Sequence, residues 1–115
     1  MKVLFLPKGL LRFNQIDDYQ YIDGELVVSV AETGNEVFNK LVLIHALVEE
    51  MLTKANGIKE EDISTYDSEH LTSVEPGLER DAPYRDAHLI AEGIERMLCG
   101  YLKIPWKDYE DALDE

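Results

Sequence analysis

The chain has 115 residues, of which 45% are hydrophobic and 30% charged, a composition that predicts one folded domain spanning residues 1–115. The formal net charge is −13, which disfavours nucleic-acid binding through a basic surface because the phosphates would be repelled. No apolar run reaches membrane-spanning length, and residues 1–6 are too short for a signal peptide, so we expect a cytoplasmic protein without membrane contact. The single cysteine, Cys99, excludes an internal disulfide and an all-cysteine zinc site.

Three strands are predicted near the N-terminus, over residues 1–6, 19–22 and 25–31. Pro7 ends the first strand, and Asp23-Gly24 is a strong hairpin turn between the second and the third. The third strand is rich in β-branched residues. We therefore expect a small sheet, mostly antiparallel, ahead of the first long helix.

The longest apolar-rich run lies between residues 36 and 56 and predicts a helix. Apolar residues recur there at intervals of three and four, no Gly or Pro interrupts the run, and Asn56-Gly57 is a typical helix end. His45 and Glu49 lie on the apolar face of this helix. A carboxylate is rarely buried without a partner, so two interpretations stay open for this pair. It is either a hydrogen bond within the core, or two ligands that hold one metal ion from the same helix face.

The second half of the chain is acidic and predicts three further helices. A short helix is expected over residues 59–67, a long loop over 68–83, a second main helix over 84–102 and a closing helix over 106–113. The expected core face of the second main helix consists of Ala87, Ile90, Ala91, Ile94, Met97, Leu98 and Tyr101. A stripe expected to lie beside the core, and not inside it, consists of His88, Glu92, Glu95 and Cys99.

The two main helices together could build a metal site. His45, Glu49 and His88 would supply three ligands, and a water molecule would take the fourth position around zinc. Glu95 and Glu92 are candidates for a hydrogen bond to a ligand or for an additional ligand. A bound metal would activate its water, but the position that follows the first histidine of helical metallopeptidases, where their base stands, is Ala46 here. We therefore assign no catalytic residue.

A set of short motifs extends from Asp17 to Tyr109. It comprises Leu26–Val30, His45–Glu49, Gly57-Ile58, Asp62, Asp67, Glu75–Gly77, Ala82–Tyr84, His88, Glu95-Arg96, Trp106 and Tyr109. This set resembles small uncharacterised proteins encoded by bacteriophages and prophages. That group usually has Glu directly after the helix His, so that its helix looks like a shortened zinc-peptidase helix in which Glu replaces the second His. The resemblance implies a zinc site that has lost its base at Ala46, and it favours Glu95 over Glu92.

The sequence as a whole predicts an α+β fold, with a small N-terminal antiparallel sheet packed against two main helices and a short C-terminal helix. The leading functional hypothesis is a phage-like protein with a divalent-metal site and Zn²⁺ as the cofactor. The alternative is an acidic phage protein that binds a basic host protein without a metal. A homodimer is compatible with both.

Overall fold

The computed structural model describes residues 1–13, 15–69 and 83–114 and confirms the predicted α+β fold. The strands are β1 (Lys2–Leu6), β2 (Asp17–Ile22) and β3 (Glu25–Ala31). The helices are α1 (Glu36–Ala55), α2 (Glu60–Glu69), α3 (Arg85–Tyr101) and α4 (Trp106–Asp114), and one 3-10 turn follows β1 at Lys8–Leu10. Most of the predicted loop at 68–83 lies outside the described residues. None of the helices in the described ranges combines the length and the apolar composition that crossing a bilayer requires.

The sheet is mixed, with the strand order β1-β3-β2. β2 and β3 form the predicted antiparallel hairpin, and its turn residues Asp23 and Gly24 have φ angles of 50° and 82°, as a tight hairpin turn requires. β1 is parallel to β3, so the expectation of an antiparallel sheet is wrong for this pair. β2 runs opposite to β1, and the hairpin turn reverses the chain again, so β3 has the same direction as β1.

The core lies between the sheet and α1, and it is closed by α3 and α4. Its fully buried residues include Val28 and Val30 on β3, Val42 and Ala46 on α1, and Tyr109 on α4. The start of α1 is capped by Asn35, whose side chain accepts a hydrogen bond from the backbone of Phe38, a partner that satisfies one free N–H group of the first turn. α1 packs one long face against the sheet and α3.

The buried face of α3 agrees with the prediction at Ala87 and Ala91 and differs from it elsewhere. Its buried residues repeat every four positions and are Ala87, Ala91, Glu95 and Cys99. Three residues of the expected core face, Ile90, Met97 and Tyr101, are instead 53%, 66% and 85% exposed, and we call these three residues the outer stripe. Small side chains on the inner face let two helices approach closely, and the acidic Glu95 is buried because partners from α1 and α4 surround it.

Adding bulk to the inner face of α3 is expected to destabilise the protein. Ala91 is fully buried, so Ala91→Leu should lower the free energy of unfolding by about 1–3 kcal/mol through overpacking. The control Met97→Ala, in the outer stripe, should change it by no more than about 0.5 kcal/mol. Urea unfolding measures both variants. A larger loss for Met97→Ala would mean that the outer stripe is packed, for example in a dimer.

Candidate metal centre

α1 and α3 bring together the three residues that the sequence predicts as metal ligands. The Nε2 atom of His45 and the Nδ1 atom of His88 lie 3.1 and 3.2 Å from the same oxygen, Oε2 of Glu49. One potential ligand atom from each residue lies within 4.8 Å of the other two. The side chains of His45, Glu49 and His88 are only 10%, 6% and 12% exposed, so the cluster is shielded from bulk water.

The second oxygen of Glu49 is held by a residue that the sequence reasoning missed. The hydroxyl of Tyr19, on β2, donates a hydrogen bond to Oε1 of Glu49 at 2.9 Å. This contact fixes the rotation of the carboxylate and leaves Oε2 for the two histidines. The sequence signal was the alternation along β2, which places Asp17, Tyr19 and Tyr21 on one face of the strand.

The other nitrogen of His45 is held by Glu95, one of the two glutamates considered as an additional ligand or as a hydrogen-bond partner of a ligand. Nδ1 of His45 hydrogen-bonds Oε1 of Glu95, and the Tyr109 hydroxyl donates to Oε2 of Glu95. Ligating histidines usually have their second ring nitrogen bound to a carboxylate or carbonyl in this way, because the contact fixes the ring and the tautomer. Glu95 is buried, contrary to the expectation that it lies beside the core.

Glu92, the other candidate, does not join the cluster. Its carboxylate pairs with Arg96 one turn further along α3, at 3.1 Å. In the structure Glu95 therefore contacts the cluster, whereas Glu92 pairs with Arg96 instead. Ala46, next to His45 in the chain, is fully buried in the core and provides no group that could accept a proton.

Without a metal, the cluster is held together by a proton on His45. Burial alone would lower the pKa of His45, but hydrogen bonds to Glu49 and Glu95 and the charge of Asp17 hold it well above 6.5. Burial alone would raise the pKa of Glu49, but hydrogen bonds and charges from His45 and His88 lower it to about 2. The metal-free site thus contains an imidazolium between two carboxylates. A metal ion would have to replace that proton, because a ligating histidine is neutral.

Asp17 is a third acidic residue near the cluster that the sequence reasoning did not assign to the site. Burial raises its pKa to about 7; the charges of Glu49 and Glu95 also raise it, while those of His45 and His88 lower it. The Asp17 carboxyl group is therefore coupled electrostatically to the cluster.

Comparisons with known proteins assign the chain to no family. No family model matches it, and no curated protein and no solved structure shows significant similarity to it. The resemblance to bacteriophage proteins therefore stays a prediction, and the geometry of the His45, Glu49 and His88 cluster is the basis for proposing a function.

Proposed function

We propose that the protein binds one divalent metal ion, with Zn²⁺ as the best fit, through His45, Glu49 and His88. The observation that carries the proposal is the pair of nitrogen–oxygen distances of 3.1 and 3.2 Å around Oε2 of Glu49. Zinc bonds to nitrogen and oxygen are about 2.0–2.1 Å long, so neighbouring ligands in a tetrahedral site lie about 3.3 Å apart. The two histidine nitrogens already lie at nearly this distance from Oε2 of Glu49, and all three ligand atoms lie within 4.8 Å of one another.

The charge balance of the centre supports a cation. The carboxyl group of Asp17 interacts electrostatically with those of Glu49 and Glu95 and with two histidines, His45 and His88. Buried carboxylates are stable in their ionised form only with a compensating positive charge. The proton on His45 supplies one such charge, whereas a divalent ion supplies two. Two imidazoles and one carboxylate form a donor set that suits zinc and leaves a fourth position for water.

The proposed activity is metal binding, and no reaction is assigned to it. Position 46 carries no base, and the only carboxylate that hydrogen-bonds His45 besides Glu49 in the described ranges is Glu95, whose two oxygens contact His45 and Tyr109. The alternative proposal, an acidic protein that binds a basic host partner, rests on the net charge of −13. Binding of that kind would weaken as salt is added and would not require a metal.

The test is the zinc content of protein purified without a metal-binding tag. We expect about one zinc per chain and a fall in the melting temperature (Tm) after chelation. A ligand that binds only the folded state stabilises that state by about 2.7 kcal/mol at a concentration 100 times Kd. His88→Ala should lose the zinc. The control Glu92→Gln, on the same helix, should keep it. A zinc-free wild-type protein with the same Tm in zinc and in chelator would overturn the proposal.

A further inference from the structure

We propose that Asp17 completes the metal centre: its carboxylate accepts a hydrogen bond from the protic ligand, normally water, that occupies the fourth position on the metal. The proposal rests on the metal site proposed above. The hydrogen-bond acceptor for the fourth ligand then comes from the sheet. Ala46 of α1 cannot supply it, because its side chain is not polar. The proposal also predicts which exogenous ligands the site accepts: neutral protic ligands over anions.

The pleat of the sheet directs Asp17 towards α1. Alternate residues of a strand point to the same face, and Tyr19 on that face hydrogen-bonds Glu49 of α1. In the register with β3, Asp17 is opposite Val30 and Tyr19 is opposite Val28. Both valines are fully buried, so the Asp17 carboxylate lies on the inner face of the sheet.

The order of contacts along β2 places Asp17 beside His45. Tyr21 hydrogen-bonds Glu50 and lies under the Lys54 ammonium group, which is 5.0 Å from its ring centre, whereas Tyr19 contacts Glu49. Residues earlier in β2 therefore contact residues earlier in α1. A step of two residues along a strand covers about 6.6 Å, and one helical turn covers about 5.4 Å. Asp17, two residues before Tyr19, therefore lies beside the turn of α1 that precedes Glu49. That turn carries His45.

Electrostatic interactions agree with this placement. Asp17 interacts with the charges of His45, Glu49, His88 and Glu95, and its own charge is one of the causes that raise the pKa of His45. Asp17 nevertheless does not belong to the compact group of His45, Glu49 and His88, whose ligand atoms all lie within 4.8 Å of one another. A carboxylate that is near the ligands, but outside their immediate group, is placed to contact a small molecule bound to the metal.

The neighbouring aspartate offers a matched control. Asp18 belongs to the same strand and has the same charge, but it points to the other face, where it pairs with Arg12 at 2.6 Å. At pH 8, above the pKa of about 7 of Asp17, Asp17→Asn and Asp18→Asn each remove one negative charge with almost no change in volume. Asp17→Ser is a second variant without the carboxylate, in case an amide at position 17 disturbs folding.

The first measurement is zinc affinity, by competition with a chromogenic chelator. We expect Asp17→Asn and Asp17→Ser to bind zinc about 10–100-fold more weakly, the usual effect of removing a partner of a metal ligand, and Asp18→Asn to change the affinity by no more than about 3-fold. If the wild type binds zinc and all variants bind it equally well, the Asp17 proposal is wrong and the metal site stands. If wild type and Asp18→Asn bind no zinc, both proposals fail.

The second measurement reports on the fourth position itself. In cobalt-substituted protein, azide that displaces the bound water changes the visible absorption spectrum. At pH 8, above the pKa of about 7 that burial gives Asp17, its negative charge should oppose azide, so Asp17→Asn should bind azide about 10-fold more tightly than the wild type and Asp18→Asn. A purely structural role of Asp17 would not produce this gain. Equal azide affinities in all three proteins would contradict the proposal.

Discussion

Glu49→Ala is expected to cost the metal-free protein about 3–5 kcal/mol of unfolding free energy, the usual penalty for removing one partner of a buried charge pair. The carboxylate of Glu49 contacts His45, His88 and Tyr19. In the Glu49→Ala variant, protonated His45 keeps its hydrogen bond to Glu95 but loses the one to Glu49. The buried hydroxyl of Tyr19 loses Glu49 as its hydrogen-bond acceptor. Urea unfolding in the presence of a chelator measures the loss without any contribution from zinc.

The matched control is Glu50→Ala, the next residue of α1. Glu50 hydrogen-bonds the hydroxyl of Tyr21, which lies at the surface, so its loss should cost no more than about 1 kcal/mol. Similar losses for both variants would show that the buried cluster does not hold α1 against its neighbours. In that case the proximity of the three ligand residues would not depend on Glu49.

Metal-free protein is expected to lose stability as the pH rises from 5 to 8, and zinc-loaded protein is expected to show the opposite trend. The pKa of His45 is held above 6.5 in the fold, so its contribution is complete below that pH and is lost as the pH rises through the folded-state value. Burial raises the pKa of Asp17 to about 7 and that of Asp67 to about 6. Both carboxyl groups stabilise the fold in their protonated form. This contribution is complete below 3.8, the ordinary pKa of an aspartate, and decreases as the pH rises above it.

Glu49 acts in the opposite direction and at lower pH. Its pKa is about 2 in the fold, against an ordinary value of 4.5, so its contribution is present above 4.5 and is lost as the pH falls towards 2. The metal-free protein should therefore be most stable near pH 4–5. Zinc must displace the proton from His45, so its binding strengthens with pH.

The measurement is a set of melting curves at pH 5, 6.5 and 8, each with chelator and with zinc. We expect the metal-free Tm to fall by about 10 °C over this range, since one pKa unit corresponds to 1.36 kcal/mol and 1 kcal/mol to several degrees in a domain of this size. The rise in Tm produced by zinc should be small at pH 5 and largest at pH 8. An equal rise at all three pH values would contradict proton displacement from His45.

Local sequence signals predicted the elements well. The Asp23-Gly24 turn and the alternation of residues 25–31 define the hairpin, and the uninterrupted apolar periodicity defines α1. His45 and Glu49 were found because ligands one helical turn apart are visible in the sequence itself. His88 required only the assumption that the two main helices pack against each other.

The remaining features depend on contacts between distant parts of the chain. The parallel pairing of β1 with β3 depends on how distant parts of the chain meet, which no local motif specifies. Tyr19 contacts Glu49, and Asp17 is coupled electrostatically to the cluster, only because β2 packs against α1 in this register. The inner face of α3 was predicted in part: Ala87 and Ala91 are buried as expected, but apolar periodicity also selected larger side chains that are exposed. The buried Glu95 owes its position to His45 and Tyr109.

The outer stripe of α3 has a consequence for how the molecules behave in concentrated solution. Ile90, Met97 and Tyr101 form exposed apolar surface on a protein with a net charge of −13. At neutral pH, repulsion between like-charged molecules keeps such surfaces apart, but this repulsion vanishes near the isoelectric point of about 4.5. This is also the acidity at which the metal-free fold is expected to be most stable. Folding stability and colloidal stability therefore have opposite pH optima, and zinc, by stabilising the fold at higher pH, would allow both at once.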